Sequence, residues 1–494
     1  MLLPLIKLTD PGLFGNDAAE DEEEAVFSSY VLERDEIKEF IDQNEKIRIV
    51  RAYKGEGKSA LLRLAKTKLA SLNDDGSIII STTGPSLSPD INSDDSDKWV
   101  RGWKEQIFRL IASEIGARIG MAWGDDTMSL VEEAERSGFK SKSIISAIIE
   151  RLKFKDLPVE KKEKNAISPE KVVQRWAKGK PLMWLFVDDV DQNFQNNSLY
   201  KTKIASFFIA ARHIVGLVPE LRLRLAVRPN VWTTVSPEFE ALSHIRQYIS
   251  DLKWSQDSIR RLLAQRIEGY LMRTGQDKYL TQIHTDAWPR DETIINYVFE
   301  APMRWGQKDK SPYIVMGTLS MYRPRWLIEL SKVAAKNAFK KNKNIISLTN
   351  IESELAEFGR NRIADNIAEF KSQCAQIEDL ITAFAQQPET YKTDQIIALI
   401  EKRILPGVAP RITGIPGIAK ALDVAAFLYE IGFLSARRDM PDGSYNHLNY
   451  SENPLLLHSR TNIDQGVSWE IHPIYRQALE LNDKVRETKK KKWS

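Results

Sequence analysis

The chain has 494 residues, a formal net charge of +3, 42% hydrophobic and 28% charged residues, and a single cysteine. Such a length predicts about two to four domains with full cores, and the composition excludes a fibrous or disordered chain. The small net charge singles out neither nucleic acid nor an anionic membrane as partner, although a local basic patch stays open. Cys374 alone excludes an intrachain disulfide and a cysteine-based metal cluster, and points to a reducing, cytoplasmic setting. No apolar run reaches the roughly 20 residues of a membrane span, so no membrane association is expected.

Residues 1–26 read as an extended N-terminal arm. Its first residues are apolar but lack a basic region and a cleavage site, so no signal peptide is expected. The acidic cluster Asp17 to Glu24 reads as a solvated loop. Order begins at Phe27, and Ile37, Phe40 and Ile41 share one helical face.

The stretch Ile47 to Ala65 organises the rest of the chain. Branched residues Ile47 and Ile49 alternate into Val50, a strand pattern. Ala52-Tyr53-Lys54-Gly55-Glu56-Gly57-Lys58-Ser59 comes next, and Leu61, Leu62 and Leu64 then repeat as on a helix. Strand, loop and helix in this order are the setting of a phosphate-binding P-loop. Gly55 and Gly57 can turn successive N–H groups inward around a phosphate, and the helix start adds its positive dipole end. Lys58 would reach the β- and γ-phosphates, the Ser59 hydroxyl would bind Mg²⁺, and Lys54, Gly55, Glu56, Gly57 and Ala60 would line the cradle. Ala52 stands where the usual pattern has glycine, and a small residue suffices there. Tyr30 and Val31, ahead of this motif, are candidates either for closing over an adenine or for the core.

Ser77 to Ser81 reads as a buried strand, Thr82 to Asp97 as a loop, and Trp99, Trp103, Ile107, Leu110, Ile111 and Ile115 as the face of an amphipathic helix. The Lys-rich stretch Lys153 to Lys164 reads as a surface insertion. From Leu182 to Val187 six apolar residues run together, as in a central parallel strand covered on both faces, and Asp188 and Asp189 come directly after. Ligands of open parallel sheets bind at the carboxyl ends of strands. There Asp188 would hold the Mg²⁺ that Ser59 also touches, and Asp189 would orient or deprotonate the attacking water. The alternative is that Asp188 to Asp191 caps the next helix.

After a helix at 199–216, Leu221, Leu223 and Leu225 alternate with Arg222 and Arg224, which suggests a strand near the sheet edge. Arg228 at its end is a candidate for the γ-phosphate or an ordinary surface arginine, and Arg246 is a second candidate. Residues 254–341 are helical in pattern. Pro324 opens a helix there, so Arg323 and Arg325 either point back at a nucleotide or lie on a helix surface. A charged helix covers 351–372. Helices near 376–386, 392–403 and 417–430 then lead to Phe433–Arg438, a turn Pro441-Asp442-Gly443, a strand Ser444 to Tyr450 and a strand Val467 to Ile471, the pattern of a winged helix. His472-Pro473 opens a last helix, and Lys489 to Lys492 form a basic tail.

Together these features resemble the STAND class of P-loop ATPases, the group containing the KAP, NB-ARC and origin-recognition-like ATPases, and the resemblance implies a prokaryotic member. Lys58-Ser59 matches their Walker A residues, Asp188 to Asp191 looks like their acidic Walker B, and the strand ending at Arg228 is similar to their sensor-1 strand. Tyr322 to Leu330 looks like their Arg-Pro-Arg helix. His472 sits where NB-ARC proteins place the histidine of Met-His-Asp, with Ile471 and Pro473 as its neighbours here. The resemblance implies an α/β P-loop parallel sheet with helices on both faces, followed by a helical domain and a C-terminal winged helix. It implies domains at 27–250, 251–372 and 373–480, with a basic tail at 481–494. It further implies ATP and ADP with Mg²⁺ as cofactors and slow hydrolysis coupled to a switch. The expected partner is an effector or sensor protein in a separate chain, for instance of an antiphage system, within a homo-oligomer or hetero-complex. The alternative expectation is an origin-recognition-like or transposition-type ATPase whose winged helix binds duplex DNA.

Overall fold

A computed structural model describes residues 4–32, 34–72, 76–119, 125–137, 168–281, 283, 286–306, 308–440, 445–450, 452–457 and 466–482. The stretch Lys153 to Lys164, the turn Pro441-Asp442-Gly443 and the tail Lys489 to Lys492 lie outside the described residues. The chain forms two compact units: Arg34–Tyr53 with Lys58–Leu252, and Met1–Glu33 with Lys54–Gly57 and Lys253–Ser494.

The first unit is built on a parallel sheet. Its strands are β1 (Ile47–Arg51), β2 (Ile78–Thr83), β3 (Met183–Asp188), β4 (Leu221–Val227) and β5 (Ile249–Asp251). Their order is β2-β3-β4-β1-β5, and every neighbouring pair is parallel. Both faces of β3 are covered, since Met183 through Val187 are all buried, which explains the unbroken apolar run there. Leu185, Val187, Leu223 and Leu225 share one core with Trp103 of helix Ser96–Arg118 and Phe207 of helix Ser198–Leu217. The Trp103 and Phe207 rings meet edge to face at 5.1 Å, a geometry the aromatic quadrupole favours.

One expectation is corrected here. The Leu/Arg alternation of β4 places it not at the sheet edge but between β3 and β1. Arg224 is fully buried, with its guanidinium 4.6 Å from the Trp184 ring centroid. It donates to the carbonyls of Phe40 at 2.6 Å and Asp42 at 2.7 Å, at the C-terminal end of helix Asp35–Ile41. Those carbonyls have no partner within the helix, and the negative end of its dipole favours a cation. The arginine is thus a helix cap across the sheet rather than a solvent-facing residue. Burial nevertheless pulls its pKa down to about 9.

The second unit begins with helices Gln256–Arg273, Ala287–Asn296, Pro312–Leu319, Pro324–Lys340 and Leu355–Phe370, interrupted by a short ribbon of β6 (Met303–Trp305) and β7 (Lys308–Lys310). Helices Ile377–Thr382, Thr393–Leu399 and Ala421–Glu430 come next with β8 (Thr390–Tyr391), β9 (Leu434–Asp439), β10 (Tyr445–Leu448) and β11 (Ser468–Ile471). The antiparallel order β10-β9-β11-β8 is that of a winged helix, with β8 falling between the first two helices.

The acidic N-terminal segment is also corrected. Asp17 lies 3.2 Å from the Lys332 ammonium and 3.8 Å from the Arg325 guanidinium, and Glu22 accepts the Tyr30 hydroxyl at 2.9 Å. Leu13 and Phe14 are buried and the Arg266 guanidinium lies 3.9 Å from the Tyr30 ring centroid. Buried apolar side chains pull the segment onto this unit, so Asp17 meets cations, whereas Glu20, Asp21, Glu23 and Glu24 stay exposed to solvent. Tyr30 accordingly serves the core. Among the described residues no helix is long and apolar enough to cross a membrane.

Candidate nucleotide-binding site

The P-loop joins β1 to helix Lys58–Leu72. Gly55 and Gly57 have φ values of 83° and 96°, the left-handed region that side chains disfavour. Ala52 is buried and its N–H donates to the Val227 carbonyl of β4 at 3.3 Å. Lys58 is buried, and its ammonium donates to the carbonyls of Ala52 at 2.8 Å and Tyr53 at 3.3 Å. An ammonium held at the mouth of a loop of N–H groups, on the positive end of a 15-residue helix, suits a polyphosphate. Ser59 and Ala60 occupy the same first helical turn.

Asp188 ends β3 and Asp189 succeeds it in a left-handed conformation, φ 50°. The Asp189 N–H donates to the Asp188 carboxylate at 2.8 Å. A non-glycine residue held in a left-handed conformation carries strain of the kind that gathers at functional sites. Burial, and next the charge of Asp188, raise the Asp189 pKa above the ordinary carboxylate value, while Arg228 and Lys58 act in the opposite sense. Lys58, Asp188, Asp189 and Arg228, all from the sheet unit, thus share one electrostatic environment.

Two acidic residues outside the predicted set support these groups. Asp191 is fully buried and accepts the Arg228 main-chain N–H at 2.7 Å, with the Arg228 guanidinium 3.9 Å from its other oxygen. Its signal in the sequence was the third carboxylate of the run after β3. In the second unit, Glu369 accepts the Lys54 main-chain N–H at 2.9 Å and the Arg323 guanidinium at 2.8 Å. No local pattern distinguishes Glu369 from other charges on its helix.

Of the remaining predicted residues, Arg323 and Arg325 lie against the P-loop, the Arg323 guanidinium donating to the Lys54 carbonyl at 3.5 Å and the Arg325 N–H to the Gly55 carbonyl at 3.1 Å. Arg323 is buried over the Trp326 ring and paired with Glu369. Arg325 pairs with Glu329 at 3.1 Å. Both line a cleft of about 180 Å³ with Lys54, Arg362 and Glu369. The turn before them, Met321 and Tyr322, is left-handed at two successive residues, φ 52° and 56°. Arg246 lines a different cleft of about 400 Å³, with Arg51, Trp232 and Asp251, in the sheet unit. His472 is buried and caps the last helix, its Nδ1 accepting the Ile474 N–H at 3.4 Å. Burial lowers its pKa to about 3, so the ring is neutral at physiological pH.

The donor set suits a nucleotide: main-chain N–H groups at two left-handed glycines, a lysine, a hydroxyl and carboxylates at strand ends. Among the described residues no group of three or more His, Cys, Asp or Glu could hold a metal by itself. Mg²⁺ commonly takes one or two protein oxygens with phosphate and water, and Ser59 and Asp188 are of that kind.

No protein-family model matches the chain. A 166-residue stretch, 33% of the chain, is 27% identical to the "Putative transposon gamma-delta 80.3 kDa protein" of Escherichia coli (strain K12). The chain spans 23% of the length of that relative. Among solved structures, the Aeropyrum pernix ORC2 protein in its ADPNP-ADP complexes aligns over 100% of this chain and 97% of its own, at 10% identity and a TM-score of 0.39. Drosophila ORC bound to DNA aligns over 89% of this chain and 91% of its own, at 10% identity and a TM-score of 0.29.

Proposed function

We propose that the chain is a Mg²⁺-dependent ATPase of transposition or origin-recognition type, which binds ATP and ADP at the P-loop and engages duplex DNA according to the nucleotide bound. The single observation that carries the ATPase reading is the P-loop with Lys58 at its helix start and the pair Asp188-Asp189 at the end of β3. Lys58 neutralises the β- and γ-phosphates, and the N–H groups from Gly55 to Ala60 orient them. Ser59 and Asp188 would hold Mg²⁺, which would supply charge neutralisation for the phosphoryl group being transferred. Asp189 orients the attacking water, and its raised pKa makes it a better proton acceptor than an ordinary carboxylate. Arg228, fixed by Asp191, supplies a guanidinium for charge developing on the γ-phosphate. Arg323, Arg325 and His472 enter no step.

Partial similarity to a transposon protein supports duplex DNA as the partner, in preference to an effector chain of an antiphage system. The winged helix of residues 373–480 would be the DNA-contacting part, within an oligomer assembled on DNA. ATP turnover with and without duplex DNA, together with DNA affinity over a salt series, tests both halves. Slow Mg²⁺-dependent turnover, stimulated by DNA whose affinity falls as salt rises, is expected. Absence of nucleotide binding would overturn the ATPase reading, and nucleotide binding without DNA binding even at low salt would overturn the DNA reading.

A further inference from the structure

The outer main chain of the P-loop is gripped at three successive residues. The Glu369 carboxylate accepts the Lys54 N–H at 2.9 Å. The Arg325 N–H donates to the Gly55 carbonyl at 3.1 Å. The half-buried Trp254 donates its indole N–H to the Glu56 carbonyl at 2.8 Å. Lys54–Gly57 and all three partners belong to the same compact unit. The partners come from helix Leu355–Phe370, the start of helix Pro324–Lys340 and the segment ahead of helix Gln256–Arg273. A Cβ on Gly55 would come within 3.1 Å of the Arg325 Cβ, so the loop and that helix start are close-packed.

We propose that Glu369 and Trp254 are positioning residues for nucleotide binding: from outside, they hold the P-loop main chain in the shape whose inner N–H groups receive the phosphates. The inference rests on the nucleotide reading above. A phosphate cradle made of main-chain donors works only when their directions are fixed before the ligand arrives, and two glycines leave this loop free to collapse otherwise. Glu369 is suited to the task because its second oxygen is held by the buried Arg323, so the carboxylate cannot swing away. Trp254 adds a rigid donor with only two side-chain torsions. Neither residue touches the nucleotide in this arrangement. Both act through the loop and therefore on ATP and ADP alike.

The test uses the full chain and calorimetric titration with Mg-ATP and with ADP, beside ATPase kinetics. Trp254→Phe keeps a smaller aromatic side chain and removes the donor, and Glu369→Ala removes the acceptor. Each is expected to weaken ATP and ADP binding by the same factor, about three- to tenfold for one lost hydrogen bond, with KM rising more than kcat falls. The double variant is expected to lose less than the product of the two factors, because both residues order one loop. A merely structural role would lower the melting temperature and leave affinity at a temperature where the variant is folded unchanged. That result, with tight binding by the unmutated chain, overturns the inference while the nucleotide reading stands. No binding by the unmutated chain overturns both. Should Glu369→Ala not fold, Trp254→Phe decides by itself.

Discussion

The Asp191 carboxylate accepts the main-chain N–H of Arg228 at 2.7 Å, so the residue just past β4 is tied to the acidic run just past β3. Both lie at the carboxyl edge of the sheet, where parallel strands present their ligand-binding ends. The bond sets where the Arg228 backbone sits relative to Asp188 and Asp189, and it gives one oxygen of a fully buried carboxylate its partner, while Oδ1 makes no hydrogen bond within the described residues.

Asp191→Ala is therefore expected to destabilise the protein by about 1–3 kcal/mol, because it leaves the Arg228 N–H without its acceptor. Urea unfolding of the variant beside the unmutated chain measures it. An unchanged midpoint would mean that Arg228 finds another acceptor at no cost.

Lys58→Ala is expected to abolish measurable ATP affinity while the protein stays folded. Lys58 gives charge to the phosphates, and its ammonium donates to carbonyls of its own loop, Ala52 and Tyr53. Calorimetric titration and circular dichroism check the two halves. Full affinity in a folded variant would remove the P-loop as the phosphate site.

Asp189→Asn is expected to bind nucleotide and hydrolyse it at least tenfold more slowly, since an amide is a poor proton acceptor. It is also expected to be more stable at neutral pH. The folded-state pKa of Asp189 is raised, first by burial and next by Asp188. The folded protein therefore holds this proton to higher pH than the unfolded chain does, and stability falls as pH rises above the ordinary Asp value. Thermal melts from pH 4 to 7 should show the variant gaining on the unmutated protein as pH increases. A parallel pair of curves would separate Asp189 from any strain at the site.

His472 has the opposite sign. Its folded pKa is lowered from 6.5 to about 3 by burial. The unfolded chain then binds the proton first, and the stability contributed by the neutral ring is complete above pH 6.5 and lost as pH falls toward 3. His472→Asn keeps a side-chain acceptor for the Ile474 N–H and cannot titrate. Chemical unfolding at pH 7 and pH 5 is expected to show a smaller loss for the variant than for the unmutated chain. Equal losses would assign the acid sensitivity to other groups.

Local pattern alone determined a good part of this protein. The spacing of Gly55, Gly57, Lys58 and Ser59 between an apolar strand and an apolar helix names the loop, because main-chain turn, helix start and ammonium reach are set within about ten residues. Six consecutive apolar residues mark β3 as covered on both faces, and the helical face of Trp99 to Ile115 comes from the 3.6-residue period. Partners far apart in the chain were not legible. Arg224 looks solvated in an alternating strand, and only the end of the helix at Phe40 and Asp42, more than 180 residues earlier, makes its burial favourable. Glu369 is one charge among several on its helix until its carboxylate meets the Lys54 N–H, 315 residues away. Trp254 meets the Glu56 carbonyl across 198 residues. Periodicity reports which side of an element leaves water, because that depends on the residue and its near neighbours. Which buried donor meets which acceptor depends on how whole elements pack, and that was decided only in the tertiary structure.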